Sequence, residues 1–321
     1  MNNEMSPLVS ILLAVYKPNY EWLKEQLISL NNQTYDNIEL IIYDDCPEEP
    51  VSEEFFDKYI KSFNYKIIRG KRNRGSNKAF EELTKIAEGT YFAYCDQDDI
   101  WESDKIKILV DTIKKDNSVL VYSDMSVINE DGVNKYDSLI QAKPRLKYIY
   151  GKDLSAQFFF KNCVSGCCML IRKEIAKSAV PFSNYMIHDQ WICLVATMNG
   201  NISFVEKPLV RYRIHGSNQT GSLRGVFTKK DYYSMRVETL QNKLNDMNNI
   251  LERNKEKRLD FNNLNSTESI NEIKEFCKAR INKNLLGIFK YRRLCMKEAY
   301  FEILIKYMPE FVVKYLLRKL K

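Results

Sequence analysis

The sequence predicts an α/β protein with a mostly parallel, doubly wound central sheet and a helical region after it. Three observations carry this. From Leu8 to Ser123, short apolar runs alternate with helical patterns, the rhythm of a parallel sheet covered by helices. Two apolar runs end abruptly in carboxylates, at Asp44-Asp45 and at Asp96–Asp99. Past Gly225 the strand signals stop and long helical patterns take over.

Taken in order, Leu8–Val15 is apolar throughout and reads as a buried strand. Tyr20–Gln33 places Trp22, Leu23, Leu27 and Leu30 at helical spacing. Ile38–Tyr43 is a second strand. Val51–Ile60 reads as a helix, Tyr65–Ile68 as a strand, and Arg74–Glu88 as a helix stopped by Gly89. Tyr91–Cys95 is the fourth strand, Ser103–Lys115 the next helix and Val119–Ser123 the fifth strand. The stretch 124–222 is less regular. In it Cys167–Arg172 reads as a strand, Asp189–Met198 as a short helix, and Ile202–Val205 and Pro208–Arg213 as two further strands. Helical patterns then run from Lys229 to about Asn254, from Thr267 to about Asn284, and on to the end as one last helix, with a polar break at Asn262–Ser266. The expected organisation is a catalytic domain over 1–222 and a basic helical region over 223–321.

Bulk properties narrow the class. Of the 321 residues 45% are hydrophobic, enough to bury a sizeable core. Eight cysteines are scattered without a CxxC pair, and the polar stretch Met1–Pro7 lacks a basic leader, so free thiols in a reducing cytosol are expected. The adjacent Cys167 and Cys168 lie in an apolar run and read as buried. No run approaches the roughly 18 apolar residues of a membrane span. The net charge of +7 is uneven. From Lys278 onward the only acids are Glu298, Glu302 and Glu310, which suits an anionic surface.

The chemistry concentrates at Tyr94-Cys95-Asp96-Gln97-Asp98-Asp99-Ile100-Trp101. Carboxylates this close repel unless a cation lies between them. Oxygen ligands suit Mg²⁺ or Mn²⁺, which commonly bridge to phosphate. The plain alternative is an acidic loop with Asp99 or Ser103 capping the next helix. In open α/β sheets ligands bind at the carboxyl ends of strands, where Asp44, Asp45 and this cluster all fall. Asp44 or Asp45 could accept from a pyrimidine N3–H, or serve as an acid at a helix start. Asn73-Arg74-Gly75 opens a helix whose N-terminus attracts anions, or is a simple capped turn. Asp189 is either a general base or the N-cap of its helix. His215 is either a metal ligand or a turn histidine, and Arg211 or Arg213 could neutralise a diphosphate.

Together these segments resemble the family-2 glycosyltransferases of the GT-A fold, closest to the bacterial rhamnosyltransferase-like branch that builds surface polysaccharide. The resemblance is carried, in order, by Val9–Tyr16, Gln33-Thr34-Tyr35, Glu39–Asp45, Asn73-Arg74-Gly75, Asp96–Trp101, Ser165-Gly166-Cys167, His188-Asp189-Gln190-Trp191 and Tyr212–Asn218, covering about residues 6–222. It implies inverting transfer from a nucleoside-diphosphate sugar, dTDP- or UDP-linked, to a glycan or lipid-linked acceptor. It implies that Val15, Tyr16, Asp44, Asp45, Asn73, Gly75, Lys78, Asp96, Gln97 and Arg213 bind the nucleotide sugar. Asp98, Asp96 and His215 would hold Mn²⁺ or Mg²⁺, the histidine favouring Mn²⁺. Asp189 would be the catalytic base, and Trp101, Gly166, Cys167, His188 and Trp191 would line the acceptor side. One departure is Phe80, where many relatives carry arginine; diphosphate neutralisation then falls to Lys78, Arg213 or the metal.

Other classes fit less well. A nucleotidyltransferase would want a Gly-rich basic loop after the first strand, which Ala14–Asn19 does not supply. An aspartyl phosphatase would want DxD after the first strand. A nucleotide-sugar-binding scaffold without activity is the remaining alternative, and intact Asp96, Asp98, Asp189 and His215 argue against it. In the tail, aromatics and aliphatics share helical spacing with interleaved lysines and arginines. That pattern suits either peripheral attachment at the cytosolic membrane face or helices packed on the catalytic domain with a solvated basic face, and it favours packing over base stacking, so no nucleic-acid partner is expected.

Overall fold

A computed structural model of the chain describes residues 6–216, 225–256 and 264–319. Four strands, β1 (Val9–Val15), β2 (Ile38–Asp44), β3 (Tyr65–Arg69) and β4 (Tyr91–Cys95), run parallel in the order β3-β2-β1-β4. Helices α1 (Tyr20–Asn31), α2 (Glu53–Tyr59) and α3 (Ser76–Ile86) make the crossovers. Both faces of the sheet are covered, which is why the strands read as unbroken apolar runs. Along β1, Ile11 and Leu13 join the layer containing Leu23 and Leu27 of α1. Leu12 joins the opposite layer with Phe80 and Leu83 of α3.

The chain continues through β5 (Ile100–Trp101), α4 (Lys105–Lys115), β6 (Leu120–Ile128), β7 (Asn134–Tyr136), α5 (Leu139–Ala142) and α6 (Ser155–Phe160). After a 3₁₀ turn at Gly166–Cys168 come β8 (Met169–Arg172), α7 (Lys173–Ser178), α8 (His188–Asn199) and β9 (Ile202–Arg213). The sheet extends past β4 as β8-β6-β9-β5, with β7 beside β6. Strand β8 runs against β4 and β6, and β9 runs with β6. Thus β1, β2, β3, β4, β6 and β9 share one direction, and only β5, β7 and β8 oppose them.

Several local expectations change. The two strands expected at 202–205 and 208–213 form one, β9. Pro208 lies where the pairing register slips opposite Asp124, so the irregularity accommodates a residue without an N–H. Cys167 and Cys168 sit in the 3₁₀ turn and not in the strand that follows. Gly89 does not stop α3, which ends at Ile86 with Ala87 extended. Its role is close approach: a Cβ there would lie 2.5 Å from Ser10 Oγ and 2.9 Å from the Leu8 carbonyl oxygen. Ser10 Oγ accepts from the Gly89 N–H at 2.9 Å, tying this loop to β1.

The tail contains α9 (Lys229–Tyr232), a π-helical turn at Tyr233–Glu238, α10 (Thr239–Glu256), α11 (Leu264–Ile281), α12 (Leu285–Lys290), α13 (Met296–Ile305) and α14 (Glu310–Lys319). The single last helix expected from sequence is therefore three, α12, α13 and α14, with a 3₁₀ turn at Arg292–Leu294 after α12. Pro309 separates α13 from α14, and the residue before a proline is turned away from helical backbone. The expected boundary at 222/223 and residues 262–263 of the polar break lie outside the described residues. Met247, Ile250, Ile273 and Cys277 join the same apolar layer as Trp191 and Ile192 of α8. Arg280 pairs with Glu302 at 2.6 Å, both buried, and the Tyr232 hydroxyl donates to Glu302 at 2.9 Å. Among the described residues no helix is long and apolar enough to cross a membrane.

Candidate active site

Two carboxyl-terminal strand ends meet to make the site. The acidic loop leaves β4 and re-enters the sheet as β5, whose Ile100 pairs with Arg211 of β9. That pairing brings the loop beside the residues that follow β9. Asp98 Oδ2 lies 2.7 Å from His215 Nε2, and both side chains stay partly open to solvent. The His215 ring packs 4.8 Å from the ring of Trp22 in α1. The structure thus brings Asp98 and His215, 117 residues apart in the chain, within hydrogen-bond distance.

Arg213 does something other than wait for a phosphate. Its guanidinium is buried and fully occupied. Nε donates to the Asp98 carbonyl at 2.8 Å, one amino group donates to the carbonyls of Asn129 and Glu130, and the other pairs with Glu25 at 2.5 Å. The Arg213 backbone N–H donates to Asp99 Oδ1 at 3.0 Å. This side chain builds the acidic loop. Gln97 is likewise a tether: its amide accepts from the Tyr16 N–H at 2.8 Å and donates to the Tyr16 carbonyl at 3.1 Å. It pins the residues after β1, where Val15 is buried and Tyr16 exposed, to the acidic loop.

Asp44 and Asp45 are also bound internally. Asp44 accepts from the N–H groups of Cys46 and Val51 and pairs with Arg69 at 2.6 Å. Asp45 accepts from the N–H groups of Arg74 and Gly75. The two carboxylates therefore shape the loops after β2 and β3, and Asn73 caps the same turn through the Gly75 N–H at 2.9 Å. Lys78 faces Glu81 at 2.8 Å.

The acids beneath the loop carry a strained charge balance. Burial, then Asp99, Asp98 and Asp189, push the Asp96 carboxyl well above its usual range. Burial and Asp98 push Asp99 up to about 7. Lys105, missed in the sequence reading, is a buried cation whose charge acts against both shifts. Its ammonium donates to the Cys167 carbonyl at 2.6 Å and lies over the Trp101 ring, 2.9 Å from the centroid. Burial pushes it down to about 8.

Two donor sets could receive a divalent cation. Asp96, Asp99 and the Cys167 thiol have ligand atoms within 4.8 Å of one another. Burial and the neighbouring Cys168 hold that thiol in its protonated form, and Asp99 and Cys167 have no solvent-facing surface. A cation that bridges to a diphosphate needs open positions for phosphate oxygens and water. The carboxylate and imidazole of Asp98 and His215 fit Mn²⁺ or Mg²⁺ better, because they face the cleft and supply hard and borderline donors.

Asp189 sits in the first turn of α8, 9% exposed. Burial raises its carboxyl to about 7, against hydrogen bonds from Gln190 N–H, Gly166 and Asn162. Asn162 Nδ2 donates to Asp189 Oδ1 at 2.9 Å. A carboxylate that takes up a proton near neutrality suits general-base work. Of the residues expected on the acceptor side, Trp101, Gly166, Cys167 and Trp191 are buried and His188 is half-buried. Trp191 donates through Nε1 to the Ala179 carbonyl at 2.8 Å. His188 packs on Phe80 at 4.2 Å, and burial pushes its imidazole down to about 3, so it is neutral. Gly166 lies against His188, and Cys167 and Trp101 lie over Lys105. Of these five, Gly166 donates to Asp189 through its backbone and His188 precedes it on α8, whereas Cys167 and Trp101 join the apolar layer opposite that of Trp191. Phe80 occupies, as a core ring between His188 and Tyr94, the position where an arginine was noted as absent.

Comparison with known proteins decides the family. The sequence profile described as Glycosyl transferase family 2 matches residues 10–179. This chain belongs to the family-2 glycosyltransferases. A β-1,3-glucosyltransferase of Escherichia coli, named for transfer from UDP-Glc to α-D-GlcNAc-diphosphoundecaprenol, is 25% identical over 66% of the transferase and 79% of that protein. A dTDP-rhamnosyl transferase of Shigella flexneri is 27% identical over 63% and 71%, respectively. The crystal structure of Staphylococcus aureus TarS residues 1–349 with UDP-GlcNAc superposes with a TM-score of 0.58 at 16% identity, covering 91% of the transferase and 82% of that chain. That likeness establishes the GT-A fold of the transferase and its helical continuation.

Proposed function

We propose that the enzyme is an inverting, metal-dependent transferase that moves a hexose or deoxyhexose from a UDP- or dTDP-linked donor to a glycan or lipid-linked acceptor in surface-polysaccharide synthesis. The observation that carries this is the meeting of Asp98 with His215 at 2.7 Å at the mouth of the strand-end cleft, with Asp189 poised near neutrality behind it. The named activities of the Escherichia coli and Shigella flexneri relatives support the donor and acceptor classes.

The chemistry follows from these groups. Asp189 takes the proton of the acceptor hydroxyl as its oxygen bonds to the anomeric carbon. The bond from that carbon to the diphosphate oxygen breaks in the same displacement, and the electron pair leaves with the nucleoside diphosphate. A divalent cation on Asp98 and His215, with Asp96 beside them, would offset the charge that grows on the leaving group. The loops shaped by Asp44, Asp45, Asn73 and Gly75, with Val15, Tyr16 and Gln97, would receive the nucleotide. Lys78 would serve the diphosphate, whereas Arg213 would act through the acidic loop it holds. Trp101, Gly166, Cys167, His188 and Trp191 would serve the acceptor side, Gly166 and His188 next to Asp189 and the others from the packing beneath. This catalytic unit corresponds to 1–222, and the helices of 223–321 form its attachment region.

That region supports a peripheral place on the cytosolic membrane face. Leu286, Tyr307 and Phe311 are 84%, 74% and 74% exposed, with Lys290, Arg293, Lys306 and Lys314 also exposed among them. The function is tested by incubating the enzyme with UDP-glucose, UDP-N-acetylglucosamine and dTDP-rhamnose and Mn²⁺, with lipid-diphosphate sugar acceptors. We expect nucleoside diphosphate release from one donor and a product of opposite anomeric configuration by proton NMR. A product of retained configuration would contradict the single displacement.

A further inference from the structure

The loop between α6 and β8 holds Asp189 in a way no sequence pattern announces. Asn162 Nδ2 donates to the Val164 carbonyl at 2.8 Å and to Asp189 Oδ1 at 2.9 Å, while its Oδ1 accepts from the Val164 N–H at 3.0 Å. These contacts fix the amide orientation. Flipping it would turn the amide oxygen toward a carbonyl and a carboxylate, and its NH₂ toward an N–H. The other donors to Asp189 are backbone groups, Gln190 N–H at 2.5 Å and the N–H groups of Gly166 and of Asp189 itself. Gly166 is fixed in turn by His188: a Cβ at 166 would lie 2.5 Å from His188 Nε2. The loop is thus clamped at both ends, and Asn162 is the side chain through which it reaches the carboxylate.

We propose that Asn162 is a positioning residue for Asp189, its amide fixing the aim of one carboxylate oxygen and favouring the charged, proton-accepting form of the group. This rests on the reading of Asp189 as the base. The titratable groups around Asp189 are Asp96 from the end of β4, His188 and Cys193 on its own helix, and Cys163 beyond Cys193 on the Asn162 loop. Asp96 is a like charge, His188 is neutral, and the thiols are pushed up by burial. Against that surrounding, a donor hydrogen bond to the carboxylate is one of the few contacts that favour its ionised form. The balance is simple: the Nδ2–H keeps its own proton throughout, and Asp189 alone gains the acceptor's proton.

The test labels aspartate carboxyl carbons with carbon-13 and follows the Asp189 signal, assigned by its absence in Asp189→Asn, against pH in full-length protein. In Asn162→Ala the midpoint is expected to rise by about one pH unit or more, because a hydrogen bond to the charged form is lost. Asn162→Asp keeps an acceptor for the Val164 N–H but replaces the donor with a like charge, and its midpoint is expected to rise at least as far. It decides the matter alone if Asn162→Ala does not fold. Donor turnover supplies the second readout, as nucleoside diphosphate released from UDP-glucose or dTDP-rhamnose. The acidic limb of kcat should move with the titration while the donor KM changes by less than about twofold, the pattern of a residue acting on the base and not on binding. An Asp189 midpoint unchanged in both variants overturns the proposal. Full turnover by Asp189→Asn would instead overturn the base reading while leaving the titration result intact.

Discussion

At the scale of single residues, the site joins legible groups to illegible ones. Asp96, Asp98, Asp189 and His215 stood out in the sequence through the family resemblance, each beside a plain structural alternative, and the structure brings Asp98 to His215. What each neighbour does could not be read. Arg213 and Gln97 look like ligand contacts in one dimension, yet Arg213 is engaged by loop carbonyls and Glu25, and Gln97 by the Tyr16 backbone. Asn162 and Lys105 gave no signal, since each acts on a partner far along the chain. Asp189 yields a prediction with a definite sign. Its carboxyl titrates at about 7 in the fold against roughly 3.9 in an unfolded chain, so activity should rise with pH through about 7 and fall below it. The same shift costs stability: between about pH 4 and 7 the unfolded chain releases this proton and the folded one keeps it. Asp189→Asn should therefore lose turnover by roughly 10²–10⁴-fold. Its urea midpoint, measured relative to wild type, should improve from pH 4 to pH 8. An unchanged difference across that range would argue against the buried carboxyl.

At the scale of elements, periodicity reproduced the βαβ half because its strands are buried on both faces and its helices on one. Strand β1 reads as continuous apolar sequence for that reason alone. The second half was harder. β5 is two residues long, β7 is fully exposed, and β9 runs through a proline at a register slip, so none shows a clean alternation. Gly89 was read as a helix stop because glycines often are. Its actual constraint, the approach to Ser10 and the Leu8 carbonyl, is made by chain 79 residues away. Gly89→Ala should destabilise the protein by about 1–3 kcal/mol, as overpacking against backbone does. Urea unfolding followed by circular dichroism measures it. A difference near zero would mean the loop moves freely away from β1.

At the scale of the whole molecule, α10, α11, α13 and α14 contribute to the apolar layer of the helix that carries Asp189, and the tail leaves Leu286, Tyr307 and Phe311 exposed. The sequence foretold the helices and their charge, but not where α13 ends or which side chains stay uncovered. Flotation with vesicles containing anionic lipid should recover the protein at low salt. Recovery should fall several-fold in the triple variant Leu286→Ser, Tyr307→Ser, Phe311→Ser, while donor turnover in solution is unchanged. Equal recovery of the two proteins would place the contact elsewhere. The central claim concerns the other end of the molecule, where two strand ends bring Asp98 to His215. It is tested most directly by calorimetric titration of UDP- and dTDP-sugars into wild type and Asp98→Ala, with and without Mn²⁺. One donor should bind wild type with Mn²⁺, and the binding should be lost on removing either the metal or the carboxylate. Binding that ignores both, or no binding of any donor, would contradict the claim.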